Sequence, residues 1–339
     1  MKRLLLLCLV LVLACVVGAG IWVTRRVAAP HAAFTGETFV EIPNGESTAG
    51  IGRRLVAAGV IRDELTFRLA VRWHAGGRSL KAGEYRFSEP ASPGTVIDRL
   101  ARGDVYLVPL TFPEGLTAEE MAKLFEQSGL GSASAFVAAA RVPDAIKAID
   151  PEADSLEGYL FPDTYHLPRT LAAPALVDRM VRRFISVFDE DLQSRAKATG
   201  LTVRQLMSLA ALVEKETARG DERPIVAAVY HNRLRIGMPM QADPTVIYAL
   251  KLAGRWDGNI TRADLQFDSP YNTYRYPGLP PGPIASPGKA AIEAAIAPAD
   301  VDYLYFVSRN DGSHVFARTL PEHNRNVQQW QVEFFRNRK

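Results

Sequence analysis

Ile42-Pro43-Asn44-Gly45-Glu46-Ser47 is followed, seventy residues later, by Phe112-Pro113-Glu114-Gly115-Leu116-Thr117. The first continues to Ile51, Leu55, Gly59 and Val60, the second to Met121, Phe125, Gly129 and Leu130, at identical spacing. Each copy reads as a strand end, a Pro-x-Gly turn, a Ser or Thr helix cap and an amphipathic helix stopped by glycine. The likeness extends further. Ser79-Leu80 with Tyr85 resembles Ser155-Leu156 with Tyr165, and Val96-Ile97-Asp98-Arg99-Leu100 resembles Leu176-Val177-Asp178-Arg179-Met180. A period kept in this detail predicts two related α+β units, about 39–107 and 108–185.

Downstream, residues 186–339 read as a mostly helical body with one hairpin. Thr202 and Gln205 make a capping box for a helix that carries the apolar Leu206–Val213 stretch toward Gly220. A second helix covers about 222–236. Asp243-Pro244 reads as a cap with proline in the first turn, and Ser286-Pro287 repeats the device for a helix to about 297. Tyr303–Val307 and His314–Ala317 bracket Asn310-Asp311-Gly312, a hairpin signal. The fold class expected is α+β, with the C-terminal stretch from Pro321 helical.

Upstream, every residue from Leu4 to Val23 is apolar or glycine. As a helix this run is about 30 Å long, the thickness of a bilayer's hydrocarbon core. Trp22 closes it and Arg25-Arg26 follow, the order of an interfacial ring and a charged stop. A cleaved signal peptide has a shorter core and a small-x-small site, which this run lacks. Residues 1–26 are therefore expected to be a cytoplasmic tip and an uncleaved anchor, and 27–38 a linker. Two basic residues flank each side of the run, and the amino terminus tips the count toward a cytoplasmic start. Cys8 and Cys15, the two cysteines, both lie in the run. The body then has no disulfide framework and no thiol nucleophile, which suits an exported domain.

Charge narrows the function classes. The 339 residues carry 40 Lys and Arg against 37 Asp and Glu, a net +3. Removing residues 1–26 leaves 36 basic against 37 acidic residues. The body has no cationic excess to neutralise phosphates, so nucleic-acid binding is set aside.

Chemistry concentrates in a few segments. Glu214 follows eight nearly apolar helical residues, and its helix-surface neighbours are Ala211, Ala210 and Met207. Such a site favours a protonated carboxyl near neutral pH, the state a general acid needs. Glu216 is two positions on and cannot share that face, and Lys215 points elsewhere. Glu157-Gly158-Tyr159-Leu160-Phe161-Pro162-Asp163-Thr164-Tyr165 and Tyr271-Asn272-Thr273-Tyr274 place aromatics among polar residues. Carbohydrates want that mixture: rings against apolar sugar faces and polar groups for hydroxyls. Candidates for positioning a sugar are Gln241, Asp243, Asn272, Thr273 and Tyr274, with Glu157 and Asp163 from the first loop. Asp243 has a competing role as a helix cap, and Arg233 and Glu222 are candidates for a structural ion pair. His231, His314 and His323 are scattered, so no metal or other cofactor is expected.

Val213-Glu214-Lys215-Glu216-Thr217, the EGYLFPDTY segment, Asn232-Arg233-Leu234, Gln241–Tyr248 (QADPTVIY), YNTY with GLPPGPIASPG, and Tyr303–Val307 (YLYFV) together resemble the endolytic murein transglycosylases, the MltG/YceG-like family. The likeness covers nearly the whole chain, and the first α+β unit more loosely resembles a LysM module. The resemblance implies an enzyme anchored in the bacterial inner membrane with its body in the periplasm. It implies internal cleavage of nascent peptidoglycan strands between N-acetylmuramic acid and N-acetylglucosamine, leaving 1,6-anhydromuramic ends and stopping elongation. It implies peptidoglycan synthases as partners, and it matches the catalytic carboxyl to Glu214. One carboxyl suffices when the sugar's own C6 hydroxyl replaces water, whereas ordinary glycosidases need two. Two other readings stay open: a two-carboxylate muramidase using Glu214 with Asp243 or Asp268, and a non-catalytic murein-binding scaffold.

Overall fold

The computed structural model describes residues 2–336, with side chains from residue 7 onward. Met1 and residues 337–339 lie outside the described residues, as do the side chains of Lys2 and Arg3 that enter the expected orientation. The chain has two compact units, 1–108 with 166–169, and 109–165 with 170–339.

The first unit begins with α1 (Lys2–Ala28). Its Leu7–Ala28 segment has a mean hydropathy of 2.6, long and apolar enough to cross a membrane. Strands β1 (Thr38–Ile42) and β2 (Gly83–Phe87) pair antiparallel, Val40 opposite Tyr85. Both alternate, so Val40, Ile42, Tyr85 and Phe87 point inward. Between them lie α2 (Thr48–Ala57), capped by Ser47, and α3 (Glu64–His74), capped by Asp63. After β2 comes α4 (Pro93–Arg102), capped by Ser92. Leu55, Phe67, Val96, Ile97 and Leu100 close the core beneath the sheet.

The second unit opens with the same order of elements. β3 (Val108–Thr111) pairs with β4 (Thr164–Leu167), and between them run α5 (Ala118–Gln127) and α6 (Ala133–Ala140). Thr117 and Glu120 cap α5 reciprocally. Gly45 and Gly115 hold equivalent places and stand at φ of 75° and 77°, a conformation that excludes most side chains there. Then follow α7 (Ala173–Val187), α8 (Glu190–Ala198) and α9 (Val203–Glu216). Thr202 and Gln205 form the capping box of α9, and Leu206–Val213 are all buried. Around α9 pack α10 (Arg223–Arg235), α11 (Asp243–Leu252) and α12 (Lys289–Ile296). The hairpin β5 (Tyr305–Ser308) and β6 (His314–Ala317) and helix α13 (Leu320–Val327) complete the unit.

Three helix boundaries differ from the sequence reading, each because a polar group has another task. α9 stops at Glu216, short of Gly220, since Thr217 turns extended and its hydroxyl faces Glu222 at 3.4 Å. α12 starts at Lys289, two residues late, because the backbone of Ser286, the expected cap, is bonded instead to Gly115 and Leu116. Asp243 does not cap α11; its carboxylate accepts the Tyr274 hydroxyl at 2.6 Å.

Candidate active site

Helix α9 is buried over Leu206–Val213 and turns polar in its last turn, where Glu214, Lys215 and Glu216 emerge. Residues two apart on a helix point about 200° apart, so the two carboxyls reach opposite flanks. Lys215 leaves the helix between them and donates to the Gly115 carbonyl at 3.0 Å.

On one flank, both oxygens of Glu214 are taken. Oε1 meets the Arg223 guanidinium at 3.1 Å, and Oε2 accepts the Gly288 amide at 3.0 Å. The Glu214 and Arg223 side chains are only 6% and 13% exposed. Arg223 also reaches Glu114 at 3.5 Å. A Cβ on Gly288 would come within 1.8 Å of a Glu114 oxygen, so glycine there leaves room for this second acid. Burial pushes the Glu214 carboxyl up, the Gly288 amide and Arg223 pull it back, and Glu114 adds to the rise.

On the other flank, Glu216 lines a cavity of about 430 Å³ together with Tyr230, Arg233, Gln241, Asp243 and Tyr274. Its Oε1 accepts the Tyr230 hydroxyl at 2.9 Å. Burial raises the Glu216 carboxyl to about 7; the Tyr230 hydrogen bond opposes the rise and the Asp243 charge adds to it. Arg233 opposes it more weakly; its guanidinium donates to the carbonyls of Leu304 and Met240, each at 2.7 Å. Gln241 stands at φ of 50°, a costly conformation for a residue with a side chain. That strain is held by neighbours: the Gln241 amide donates to the Thr273 carbonyl, and the Thr273 hydroxyl bonds Thr245 and the Ala242 amide. His323 closes another wall, its ring 5.1 Å from that of Tyr305. Burial and nearby Arg233 hold His323 below the usual histidine range.

The positioning candidates thus separate. Gln241, Asp243 and Tyr274 come together in the cavity with Glu216. Asn272 is fully buried, spanning the carbonyls of Leu265 and Phe267 and the Tyr274 amide, and Thr273 is equally buried in its knot. Both shape the loop from beneath, with no surface for a ligand. Asp163 pairs with Arg183 at 2.8 Å on the surface. Glu157 receives the Ala118 amide at 3.2 Å and the Tyr248 hydroxyl at 3.4 Å; burial pushes its carboxyl up to about 7. Glu222 and Arg233 do not pair. Glu222 takes the backbone amide and ring of His314, at 3.0 and 2.7 Å, tying α10 to β6. Asp268 is exposed and bonds Tyr276.

Comparison with known proteins identifies the family. The profile of the YceG-like family matches residues 40–329. A Bacillus subtilis endolytic murein transglycosylase is 33% identical over 303 residues, covering 84% of this chain and 82% of that protein. A Streptococcus pneumoniae endolytic murein transglycosylase is 33% identical over 326 residues; 85% of this chain aligns, with 57% of that longer protein. The crystal structure of a YceG-like protein from Listeria monocytogenes superposes with a TM-score of 0.59 at 31% identity, over 86% of this chain and 98% of that one. By match length and by identity alike, the chain belongs to the YceG-like family.

Proposed function

We propose that this chain is a peptidoglycan lytic transglycosylase that cuts nascent glycan strands internally, with Glu216 as its acid and base. The observation that carries the residue choice is the contrast across α9. Glu216 lines an open cavity without a cation on its oxygens, and its carboxyl holds a proton to about 7. Glu214, matched by resemblance to the catalytic position, has both oxygens occupied by a guanidinium and an amide. Giving Glu214 a proton to donate requires displacing that ion pair. Its reading here is a positioning residue that fixes the end of α9 against Arg223 and Gly288.

In the reaction, protonated Glu216 donates to the glycosidic oxygen as the bond from that oxygen to C1 of N-acetylmuramic acid breaks. The resulting carboxylate accepts the C6 hydroxyl proton while O6 closes on C1. The products are a 1,6-anhydromuramic end and a free N-acetylglucosamine hydroxyl, and Glu216 is again protonated. Gln241, Asp243 and Tyr274 supply polar contacts for sugar hydroxyls, and the rings of Tyr274 and Tyr305 supply apolar faces. Cutting a strand as it is made ends its elongation, which sets the enzyme beside peptidoglycan synthases. Helix α1 serves as a single-pass inner-membrane anchor, amino terminus cytoplasmic and body periplasmic, supported by its length and hydropathy. The strand–helix–helix–strand order of the first unit supports a LysM-like, murein-binding reading of it.

A second reading has one observation in its favour: Asp243 lines the same cavity as Glu216. A second carboxylate there suits a muramidase that activates water. Mass spectrometry of products from uncrosslinked nascent glycan separates the two. Anhydro ends support the transglycosylase, and reducing ends one water heavier overturn it. Glu216→Gln beside Glu214→Gln, in the same assay, tests the choice of acid.

A further inference from the structure

Helix α3 presents an apolar row next to the anchor, exposed at its two ends and half-buried at its middle residue. Leu65, Leu69 and Trp73 stand at i, i+4 and i+8, so they line one side of the helix. Leu65 is 62% and Trp73 60% exposed. Arg68 and Arg72, both exposed, flank the row. Large apolar side chains standing together in water are unfavourable.

The anchor fixes where this row lies. α1 packs on α3 and α4, and Arg26 meets Asp63, the cap of α3, at 3.5 Å. A cavity of about 450 Å³ is lined jointly by Thr24, Val27 and Ala28 of α1, Ala70 and Trp73 of α3, and Thr95 of α4. Thr24 is the first residue past the apolar run, and at 1.5 Å per residue Ala28 lies only about 7 Å beyond it. With the run in hydrocarbon, both cavity and row stand at headgroup depth. The Arg26 guanidinium lies over the Trp22 ring at 5.0 Å, a pairing suited to that same level.

We propose that α3 is an interfacial helix. Leu65, Leu69 and Trp73 sit at the headgroup–acyl boundary, Arg68 and Arg72 reach lipid phosphates, and a phospholipid occupies the cavity beside α1. The occupant is lipid because the cavity wall is itself the emerging anchor, and because the row carries the apolar-plus-arginine composition that a phosphate-bearing interface binds. The inference rests on reading α1 as a membrane anchor. Its consequence is a first unit seated on the membrane by a second contact beside the helix that tethers it.

The test uses the full chain with Cys8→Ala and Cys15→Ala, reconstituted in phosphatidylglycerol-containing vesicles. Single cysteines introduced at 16, 65 or 73 carry a nitroxide, and a labelled small thiol gives the bulk-water reference. Labels at 65 and 73 are expected to lose accessibility to an aqueous nickel chelate and to gain it to oxygen, between the reference and position 16. A label at 16 in lipid with 65 and 73 matching bulk water overturns the seat and leaves the anchor intact. A label at 16 in water overturns the anchor reading and the seat with it. Adding Arg68→Glu and Arg72→Glu is expected to return the label at 65 toward bulk values; no change overturns the arginine contribution.

Discussion

The two carboxyls at the end of α9 are separated by one lysine and live in different chemistry. Glu214 is clamped by Arg223 at 3.1 Å and the Gly288 amide, while Glu216 has a tyrosine hydroxyl at 2.9 Å and a cavity before it. The helix supplies both settings because side chains two residues apart in one turn face different elements, the Gly288 start of α12 on one side and the Gln241–Tyr274 loops on the other. The difference teaches that burial alone does not make an acid; what occupies the oxygens decides whether a proton can be held and given away. The largest expected effect therefore separates the pair. Glu216→Gln should lower kcat by about 10²–10⁴, the usual worth of a general acid, with the fold intact by circular dichroism. Glu214→Gln leaves the largely buried Arg223 with only the more distant and more exposed Glu114 carboxylate, at 3.5 Å, and should cost about 1–3 kcal/mol of stability with a much smaller loss of turnover. Loss of turnover from Glu214→Gln in a stably folded protein, with Glu216→Gln still active, would reverse the assignment.

The same comparison predicts a pH profile. An acid that must start protonated fails as it ionises, and Glu216 ionises near 7. The alkaline limb of kcat/KM should break near that value and fall about tenfold per unit above it. A limb that breaks near 4.5 instead would mean that the titrating acid is an ordinary exposed carboxyl.

Much of the scaffold was legible in the sequence, because local chemistry decides it. The caps at Ser47, Thr117 and Thr202, the hairpin about Asn310-Asp311-Gly312 and the buried run Leu206–Val213 all lie where periodicity and capping residues put them. The site was legible only as a list of motifs. Helix spacing separates Glu214 from Glu216, yet nothing local says which flank meets the QADP and YNTY loops. Apolar helical neighbours favoured Glu214, and the cation that answers it, Arg223, sits on the next helix. Asp243 read as a cap because Asp-Pro commonly starts helices; a tyrosine 31 residues away claims the carboxylate instead. Asn272 and Thr273 had the right chemistry for a sugar and turn out to hold the loop together. Partners distant in sequence decide each of these.

Stability should carry the mark of the raised carboxyls. Glu216 and Glu157 are both pushed up to about 7 from an ordinary value of 4.5. Below that ordinary value both states bind the proton and neither group alters folding. Between it and about 7 the unfolded chain releases the proton first, so stability falls as pH rises and stays lower above 7. Gln at either position removes that cost. Each variant should be more stable than wild type by about 1–3 kcal/mol at pH 8 and nearly equal to it at pH 4. Denaturant melts at the two pH values check this. For Glu216 it would be a trade of activity for stability of the kind functional sites show; equal stability at pH 8 would place its carboxyl in water and break the contrast with Glu214.

The smallest effect is the most diagnostic. Tyr230 donates to the Glu216 carboxylate and holds its proton affinity down, while the Asp243 charge holds it up. Tyr230→Phe should therefore move the alkaline limb to higher pH, and Asp243→Asn should move it lower, each by about half a unit. Near pH 7 that changes the rate by less than about threefold, so the displacement must be read from complete profiles. Both variants make the same cavity less polar, and general damage to sugar binding would lower kcat/KM at every pH without moving the break. Opposite displacements need a single titrating group that feels a hydrogen bond from one neighbour and a charge from the other. Among the described residues Glu216 is such a group, and limbs that stay fixed in both variants would take the acid away from it.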